Sequence, residues 1–144
     1  MIQGRPQDAL PEIELVRYDP IRAFLYAIAY YALGRKKESD AALSELIAKY
    51  LAIGAYQIAE VNAFRNQPDE AFMWLERAYA QRDSGLIETK VDPLLKSLHS
   101  DPRYAAFLKK LNLPDLRAAP PFRSDSIVNS TPVLNKLKST FVDF

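Results

Sequence analysis

A turn residue, then a polar stretch, then a small residue that opens an amphipathic segment recur about every thirty residues in this chain. The three copies begin at Gly4, Gly34 and Asn66, which lie 30 and 32 residues apart. Such a period is typical of repeats built from two helices and a turn, which bury their apolar faces only by stacking on neighbours. The pattern therefore predicts an all-α helical solenoid and binding, rather than catalysis, as the class of activity.

The composition of the 144 residues fits this fold. The small number of glycines, 4, argues against a turn-rich all-β protein, and the 10 prolines are expected at helix boundaries. The formal net charge of +1 provides no global field for nucleic acid or an anionic membrane. The longest apolar run, 23–33, is shorter than the roughly 20 residues of a membrane span. The charge and the short run therefore predict binding to neither nucleic acid nor membrane. The absence of cysteine permits a reducing compartment, so we expect a cytoplasmic protein.

Helix boundaries and apolar stripes define two hairpins. Asp19 is expected to cap a helix that has Pro20 at its first position, is apolar on all sides and ends at Gly34. The stripe of its partner helix consists of Ser39, Ala42, Leu43, Leu46, Ile47 and Tyr50. A second hairpin follows, with a helix between Gly54 and Asn66. The stripe of its partner helix consists of Ala71, Trp74, Leu75, Ala78 and Tyr79.

The small and large residues at the expected helix contacts resemble the tetratricopeptide repeat family. These positions are occupied by Ala59, Ala71, Ala78, Tyr30 and Leu75. The region 55–104 is similar to the C-terminal repeats of bacterial multi-repeat proteins of this family. The resemblance covers about residues 4–114, with Ser39 in place of the usual alanine. It implies a right-handed solenoid of about three antiparallel helix hairpins.

A capping helix is expected to close the array. Asp101-Pro102 starts this helix, in which Tyr104 and Phe107 face inward and the basic residues face outward. A terminal helix of a solenoid needs such a polar outer face. The repeat domain is therefore assigned to residues 1–116.

Both ends of the predicted array are unusual. The first unit, 4–16, resembles the second half of a repeat, so the array is expected to begin in mid-motif. Its first helix then has either an exposed apolar face or a polar outer face formed by Gln7, Asp8, Glu12 and Glu14. Residues 117–144 are interpreted as a linker and a tail with a short amphipathic helix after Thr131-Pro132, in which Lys136 and Lys138 lie between the apolar residues. Those apolar residues are Val133, Leu134, Leu137 and Phe141. Either the tail is partly disordered, or it docks on this array or on a second copy, which would form a homodimer.

The first helix of each hairpin is expected to line a concave groove. The predicted lining residues are Phe24, Ile28, Tyr31, Tyr56, Glu60 and Phe64. An aromatic, weakly charged groove suits an apolar or amphipathic peptide. The alternative is that these side chains only pack between hairpins. The groove lacks the Lys/Asn cluster with which chaperone-binding members of the family hold a C-terminal carboxylate.

No motif for catalysis, cofactor binding or metal binding is present. His99 is the single histidine, and its neighbours Ser100 and Asp101 are too close in sequence to converge as a catalytic relay. Carboxylates such as Glu45 and Glu60 are interpreted as solvated pairs on helix faces. Gly-rich phosphate loops and histidine metal spacings are absent.

The sequence therefore predicts a protein–protein interaction module that binds a peptide or protein segment through its groove and self-associates through its tail. It predicts no catalytic residue, cofactor or metal, and does not favour an enzyme. The alternative is a regulatory fragment of a larger bacterial signalling protein without independent activity.

Overall fold

The computed structural model of this chain describes residues 6–112 together with Lys138 and Phe141. All regular structure in these residues is helical, with no strand, which confirms the all-α prediction. The α-helices are α1 (Pro6–Glu14), α2 (Asp19–Ala32), α3 (Lys36–Tyr50), α4 (Ala55–Phe64), α5 (Pro68–Gln81) and α6 (Pro102–Leu111). Two 3-10 helices, Ser84–Glu88 and Pro93–Leu98, lie between α5 and α6.

Left-handed residues end four of the helices. Gly34 (φ +74°) follows α2 and Asn66 (φ 60°) follows α4, as the sequence predicts, while Arg82 (φ 55°) and Asn112 (φ 47°) end α5 and α6. Glycine and asparagine adopt this conformation at low cost. The short connections after α2 and α4 turn the chain back, so that consecutive helices pack as antiparallel neighbours.

Aspartate caps the three helical elements that follow α5, namely both 3-10 helices and α6, and two of these caps stand next to a proline. The Asp92 carboxylate accepts a hydrogen bond from the backbone N–H of Leu94 at 3.0 Å. Asp101 accepts one from the N–H of Arg103 at 2.9 Å. Both aspartates precede a proline in the first turn, where the missing proline N–H has no helical partner to lose. These caps fix where the second 3-10 helix and α6 begin.

The prediction that Asp19 caps α2 is wrong. Tyr18 occupies the N-cap position, and no side chain makes a capping hydrogen bond there. Asp19 lies inside the first turn, and its carboxylate pairs with Arg22 one turn later. Pro20 does lie in the first turn, as predicted.

Helix α4 lies at the centre of the described structure. It packs along α5 and also contacts α2, α3 and both 3-10 helices, whereas α2 packs mainly on α3 and α1. Nearly every residue of α4 is buried, including Tyr56, Glu60 and Asn62. Because α4 has neighbours on every side, any polar atom on it needs a partner from another element.

The predicted stripes of the outer helices are largely confirmed. Helix α3 buries Ser39, Ala42 and Leu46, and the buried residues of α5 are Ala71, Phe72, Trp74, Leu75 and Ala78. Tyr79 is the exception: it is 40% exposed, and the ammonium of Lys110 lies 4.3 Å from its ring centroid. The predicted inward position of Tyr79 is therefore wrong, and Phe72 is buried instead.

The apolar run 23–33 forms most of α2. Seven of the helix's residues are buried between its neighbours: Pro20, Ala23, Phe24, Leu25, Ala27, Ile28 and Ala29. Helix α2 has 14 residues. Among the described residues, none of the helices has both the length and the apolar character needed to cross a bilayer.

Candidate binding site

Helices α2 and α4 carry the six predicted groove residues. Phe24, Ile28, Tyr56 and Glu60 are buried, whereas Tyr31 and Phe64 are half-buried. The rings of Tyr31 and Phe64 meet edge to face, with their centroids 5.9 Å apart. We call this surface of α2 and α4 the groove.

Two residues of the C-terminal tail occupy the groove. Phe141 is 2% exposed, and its ring lies edge-on to Phe64 with the centroids 6.5 Å apart. The ammonium of Lys138 lies 5.7 Å from the centroid of the Phe24 ring. Lys138 thus reaches α2, while Phe141 covers the end of α4. The remaining predicted self-association residues lie outside the described part of the chain: Val133, Leu134 and Leu137.

Three carboxylates surround the ammonium of Lys138 and form what we call the Lys138 pocket. Lys138 Nζ donates to Glu60 Oε1, and it lies 3.4 Å from Glu88 Oε2 and 3.5 Å from Asp92 Oδ2. Glu60 comes from α4, Glu88 from the end of the first 3-10 helix, and Asp92 from the cap of the second. The side chains of Glu60 and Asp92 are 0% exposed, whereas Glu88 is 41% exposed and forms the rim.

Further hydrogen bonds hold the pocket in position. The Tyr56 hydroxyl donates to Asp92 Oδ2 at 2.7 Å, and Asp92 Oδ1 accepts from the N–H of Leu94. The N–H of Tyr56 donates to Asp83, whose other carboxylate oxygen accepts from the N–H of Gly85. Asp92 is therefore oriented by groups that do not depend on the tail.

Gly85 allows the first 3-10 helix to approach the Tyr56 ring closely. A Cβ at position 85 would lie 2.5 Å from Tyr56 Cδ1, closer than any normal carbon contact. Since Tyr56 is fully buried, its ring has little room to move away. This close approach fixes Tyr56, and with it the hydroxyl that holds Asp92.

Burial and charge act together on the acids of the pocket. Burial, reinforced by the charge of Asp92 and opposed by Lys138, raises the pKa of Glu60 well above its usual value. Burial also disfavours ionised Asp92, but hydrogen bonding with Glu60 and the charge of Lys138 outweigh it and lower the pKa of Asp92. Two buried acids therefore compete for negative charge, and Glu60 ionises less readily.

The charged form of Lys138 is favoured, whereas the charged form of Glu60 is disfavoured. Burial disfavours the Lys138 ammonium, yet the negative charges of Glu60, Asp92 and Glu88 outweigh burial and raise the pKa of Lys138. Glu60 Oε2 is buried without a hydrogen-bond partner among the described residues. The pocket and the ammonium therefore stabilise each other, and one carboxylate oxygen of the pocket still lacks a donor.

A second buried cation lies near the other end of α4. Arg65 is 7% exposed, pairs with Asp40 of α3, and its guanidinium lies 5.3 Å from the Tyr31 ring centroid. Its Nε and Nη1 atoms have no hydrogen-bond partner within the described structure. Arg65 ties the two helix pairs together through a single, half-exposed carboxylate.

The structure changes the predicted chemistry of the groove. Glu60 was expected among solvated surface pairs and the groove was expected to be weakly charged; both predictions are wrong, because Glu60 is fully buried within an acidic pocket. Sequence reasoning missed Glu88 and Asp92 as members of the pocket, and it placed Lys138 on the polar side of the tail helix. The available signal was Glu60 itself, a carboxylate in the middle of a nearly continuous apolar helix.

Other places in the described structure give weaker support for a functional site. His99 is exposed and its ring lies 4.6 Å from that of Tyr104, while Asp101 caps α6. Within residues 6–112, Lys138 and Phe141, no group of His, Cys, Asp or Glu is arranged to hold a metal ion. A cleft between α5 and α6 is crossed by exposed ion pairs from Arg103 to Asp69 and from Lys110 to Glu76.

Comparisons with models of protein families, with curated proteins and with solved structures found no match to this chain. The resemblance to tetratricopeptide repeats stays a prediction from the sequence. The function is therefore inferred from the contacts of the groove and the Lys138 pocket.

Proposed function

We propose that this chain is a protein-interaction module of tetratricopeptide-repeat type that binds a protein or peptide segment in the groove of α2 and α4. The observation that carries this proposal is the seating of Lys138 and Phe141 in that groove. A segment distant in sequence from α2 and α4 already makes there one apolar and one ionic contact. An outside segment of similar chemistry would find the same partners.

The arrangement of the helix pairs supports the repeat architecture. Shifting α2 by 32 residues places Gly34 on Asn66, and both adopt left-handed conformations at the helix end. The same shift places Ser39 on Ala71, both buried on the outer helix of their pair. Two helix pairs with matched turns and matched contacts are what stacked repeats require. A solenoid of about three such hairpins, closed by α6, is our proposed architecture.

A peptide array probed with the full chain tests this function. It contains amphipathic peptides with and without lysine, and the protein variants are Phe64→Glu in the groove and Met73→Glu on the exposed face of α5. We expect Phe64→Glu to abolish the binding of captured peptides, because it places a charge where an aromatic contact is made. Met73→Glu is the matched control and leaves binding unchanged. If both variants bind as the wild type does, or if no peptide binds either to the wild type or to a Phe141→Ala variant that lacks the aromatic contact of the tail, the proposed function is wrong.

Self-association through the tail stays a separate prediction. The contacts of Lys138 and Phe141 with the groove are made within one chain, and the same contacts made by the tail of a second copy would produce a homodimer. Molar mass by light scattering over a range of concentrations distinguishes these cases. A dimer that becomes a monomer on Phe141→Ala would support exchange of tails, and a monomer at all concentrations would contradict it.

A further inference from the structure

We infer that the C-terminal tail is an exchangeable occupant of the groove, and that the partner which replaces it carries a lysine followed three residues later by an aromatic side chain. This inference rests on the proposed function and specifies its ligand. It follows from three properties of the site: the fit of the pocket to an ammonium, the electrostatics of the pocket without it, and the spacing of the two anchors.

The Lys138 pocket fits a primary ammonium. A lysine ammonium has three donors around one nitrogen, and here three carboxylates from three separate elements lie within 3.5 Å of Nζ. The face of Phe24 lies on another side of the same nitrogen. A guanidinium is larger and planar, and it binds carboxylates through a fork that this three-sided arrangement does not offer. The site therefore selects lysine over arginine.

The pocket without a cation is unfavourable. Glu60 and Asp92 are both fully buried, and Asp92 is oriented by Tyr56 and Leu94 rather than by the tail. Two neighbouring acids in a buried site cannot both stay ionised without a counter-charge. An empty groove must therefore take up a proton or admit water. This cost favours replacement of one lysine by another over simple release of the tail.

The spacing of the two anchors defines the second half of the motif. Lys138 and Phe141 are three residues apart, and both are helical. Side chains three apart lie on the same face of a helix. Phe141 packs on Phe64, which in turn packs on Tyr31. The groove therefore reads a lysine and an aromatic ring on one face of a helical segment.

Competition between the tail and an outside segment would regulate which partners bind to the groove. A ligand tethered to its own receptor acts at an effective concentration of about 1 mM. An outside segment with the same two anchors binds only where its local concentration or its additional contacts overcome this advantage. The tail thus prevents weak partners from binding and is displaced by strong ones.

The test uses a fluorescent peptide with the sequence of residues 131–144, measured by anisotropy against two full-length proteins: the wild type and Lys138→Met/Phe141→Ala. We expect the variant to bind the peptide at least about tenfold more tightly, because its own tail no longer competes. Circular dichroism establishes that the variant is folded. Equal, measurable affinities for the two proteins would overturn the tail as a competitor.

Peptide variants test the chemistry without altering the protein. Replacing the lysine at position 138 of the peptide by Met should weaken binding at least about tenfold, the expected result of losing a buried ionic contact. Replacing the lysine at position 136 by Met changes the net charge equally and should leave affinity within about twofold, since the inference assigns the ionic contact to the lysine at position 138 and a charge outside the pocket is screened by salt. If both peptides lose affinity equally, the lysine pocket is refuted even though the groove binds peptides. If no peptide binds to any protein, both this inference and the proposed function fail.

Chemical labelling gives a readout in the unmodified protein. Lys138 is buried, so its acetylation should be slow relative to Lys49, whose side chain is 60% exposed. Excess unlabelled peptide should raise the acetylation rate of Lys138 severalfold and leave Lys49 unchanged. A Lys138 that stays protected at saturating peptide would contradict exchange.

Discussion

The two helix pairs place different residues at matching positions. With the 32-residue shift, Phe24 of α2 corresponds to Tyr56 of α4, and Ile28 corresponds to Glu60. All four side chains are buried. In α2 these positions are apolar and need only neighbours to pack against. In α4 they carry a hydroxyl and a carboxylate, which need partners that α4 and α5 do not supply.

These two differences at matching positions distinguish the polar contacts of the second helix pair from the apolar packing of the first. The hydroxyl of Tyr56 finds Asp92 on the second 3-10 helix, and the carboxylate of Glu60 finds Lys138 from the tail. The first partner comes from the segment between α5 and α6, whereas the second comes from the C-terminal tail. Under the proposed function, this region of α4 binds a lysine because its buried carboxylate needs a cation from another element.

The largest effect is expected from placing a carboxylate in α2 at the position that corresponds to Glu60 of α4. Ile28→Glu buries a carboxylate at a position that is 1% exposed, with no cation of its own. We expect the free energy of unfolding to fall by about 4 kcal/mol in urea denaturation, since a lone buried charge is strongly destabilising. Ile28→Met is the control, with an expected loss under about 1.5 kcal/mol. A loss for Ile28→Glu no larger than the control would show that the two positions are not distinct.

Removing the cation from the second pair comes next. Lys138→Met leaves Glu60 and Asp92 buried without a counter-charge, and we expect a loss of about 3 kcal/mol. The double variant Lys138→Met/Glu60→Leu makes the second pair resemble the first. It should recover most of that loss, because buried ion pairs can be replaced by packed apolar groups at little cost. Failure of the double variant to recover any stability would contradict the comparison.

The dependence of stability on pH offers a third test. Because burial raises the pKa of Glu60 in the folded state, the stability that protonated Glu60 contributes is complete below the ordinary glutamate pKa of about 4.3. It is lost as pH rises through the folded-state pKa. Relative to Glu60→Gln, the wild type should therefore lose stability above about pH 4.3, by at most about 1.4 kcal/mol per pH unit. Parallel curves for the two proteins would contradict the raised pKa.

Asp92 affects the stability of the fold in a different pH range. Its pKa is lowered in the folded state, so its contribution is complete above the ordinary aspartate pKa of about 3.9 and is lost as pH falls through the lower folded value. Lys138 has a raised pKa, and its contribution is lost only as pH rises above the ordinary lysine value of about 10.4. Measurements between about pH 4.5 and pH 9 therefore isolate Glu60.

Tyr56→Phe gives α4 the residue that α2 carries at the matching position. It removes the donor to Asp92, and we expect a loss of about 1 kcal/mol, typical of one buried hydrogen bond. The expected change in tail-peptide affinity is larger than for Phe24→Tyr, which leaves the donor to Asp92 in place. Unchanged stability and affinity in Tyr56→Phe would show that Asp92 is positioned by Leu94 alone.

The smallest effect is expected at the outer helices. The Ser39 hydroxyl donates to the carbonyl of Ala27 at 2.7 Å, but that carbonyl lies within α2, where the helix also provides a backbone donor. Ser39→Ala should cost about 0.5 kcal/mol by thermal denaturation. The reciprocal change Ala71→Ser tests the same position in the second pair. A loss above about 2 kcal/mol for Ser39→Ala would show that the hydroxyl is essential to the pair.

The parts of the fold that follow from local chemistry could be predicted from the sequence. Gly34 and Asn66 mark helix ends because few other residues adopt left-handed conformations cheaply, and Asp101-Pro102 marks a helix start. The first 3-10 helix escaped prediction, since its five residues show no helical periodicity. Tyr79 was placed inward because the stripe alone does not determine how far a helix is covered.

The sequence predicted the helix residues of the site but not the tail lysine that contacts them. Repeat position identified Phe24, Tyr56 and Glu60 as groove residues, because a helical period projects onto a face. It could not identify Lys138, which contacts Glu60 across 78 residues of sequence. The amphipathic pattern of the tail assigned that lysine to a polar surface, and only the carboxylates gathered from three elements explain its burial.

Glu88 gives the pocket a kinetic asymmetry. As the half-exposed carboxylate of the rim, it is the acid an approaching lysine meets before reaching the buried pair. Exposed charges act mainly on association rates and are screened by salt, whereas buried, hydrogen-bonded charges govern dissociation. Changes at Glu88 would therefore alter how quickly the groove changes occupants, while Glu60 and Asp92 determine how long each occupant stays.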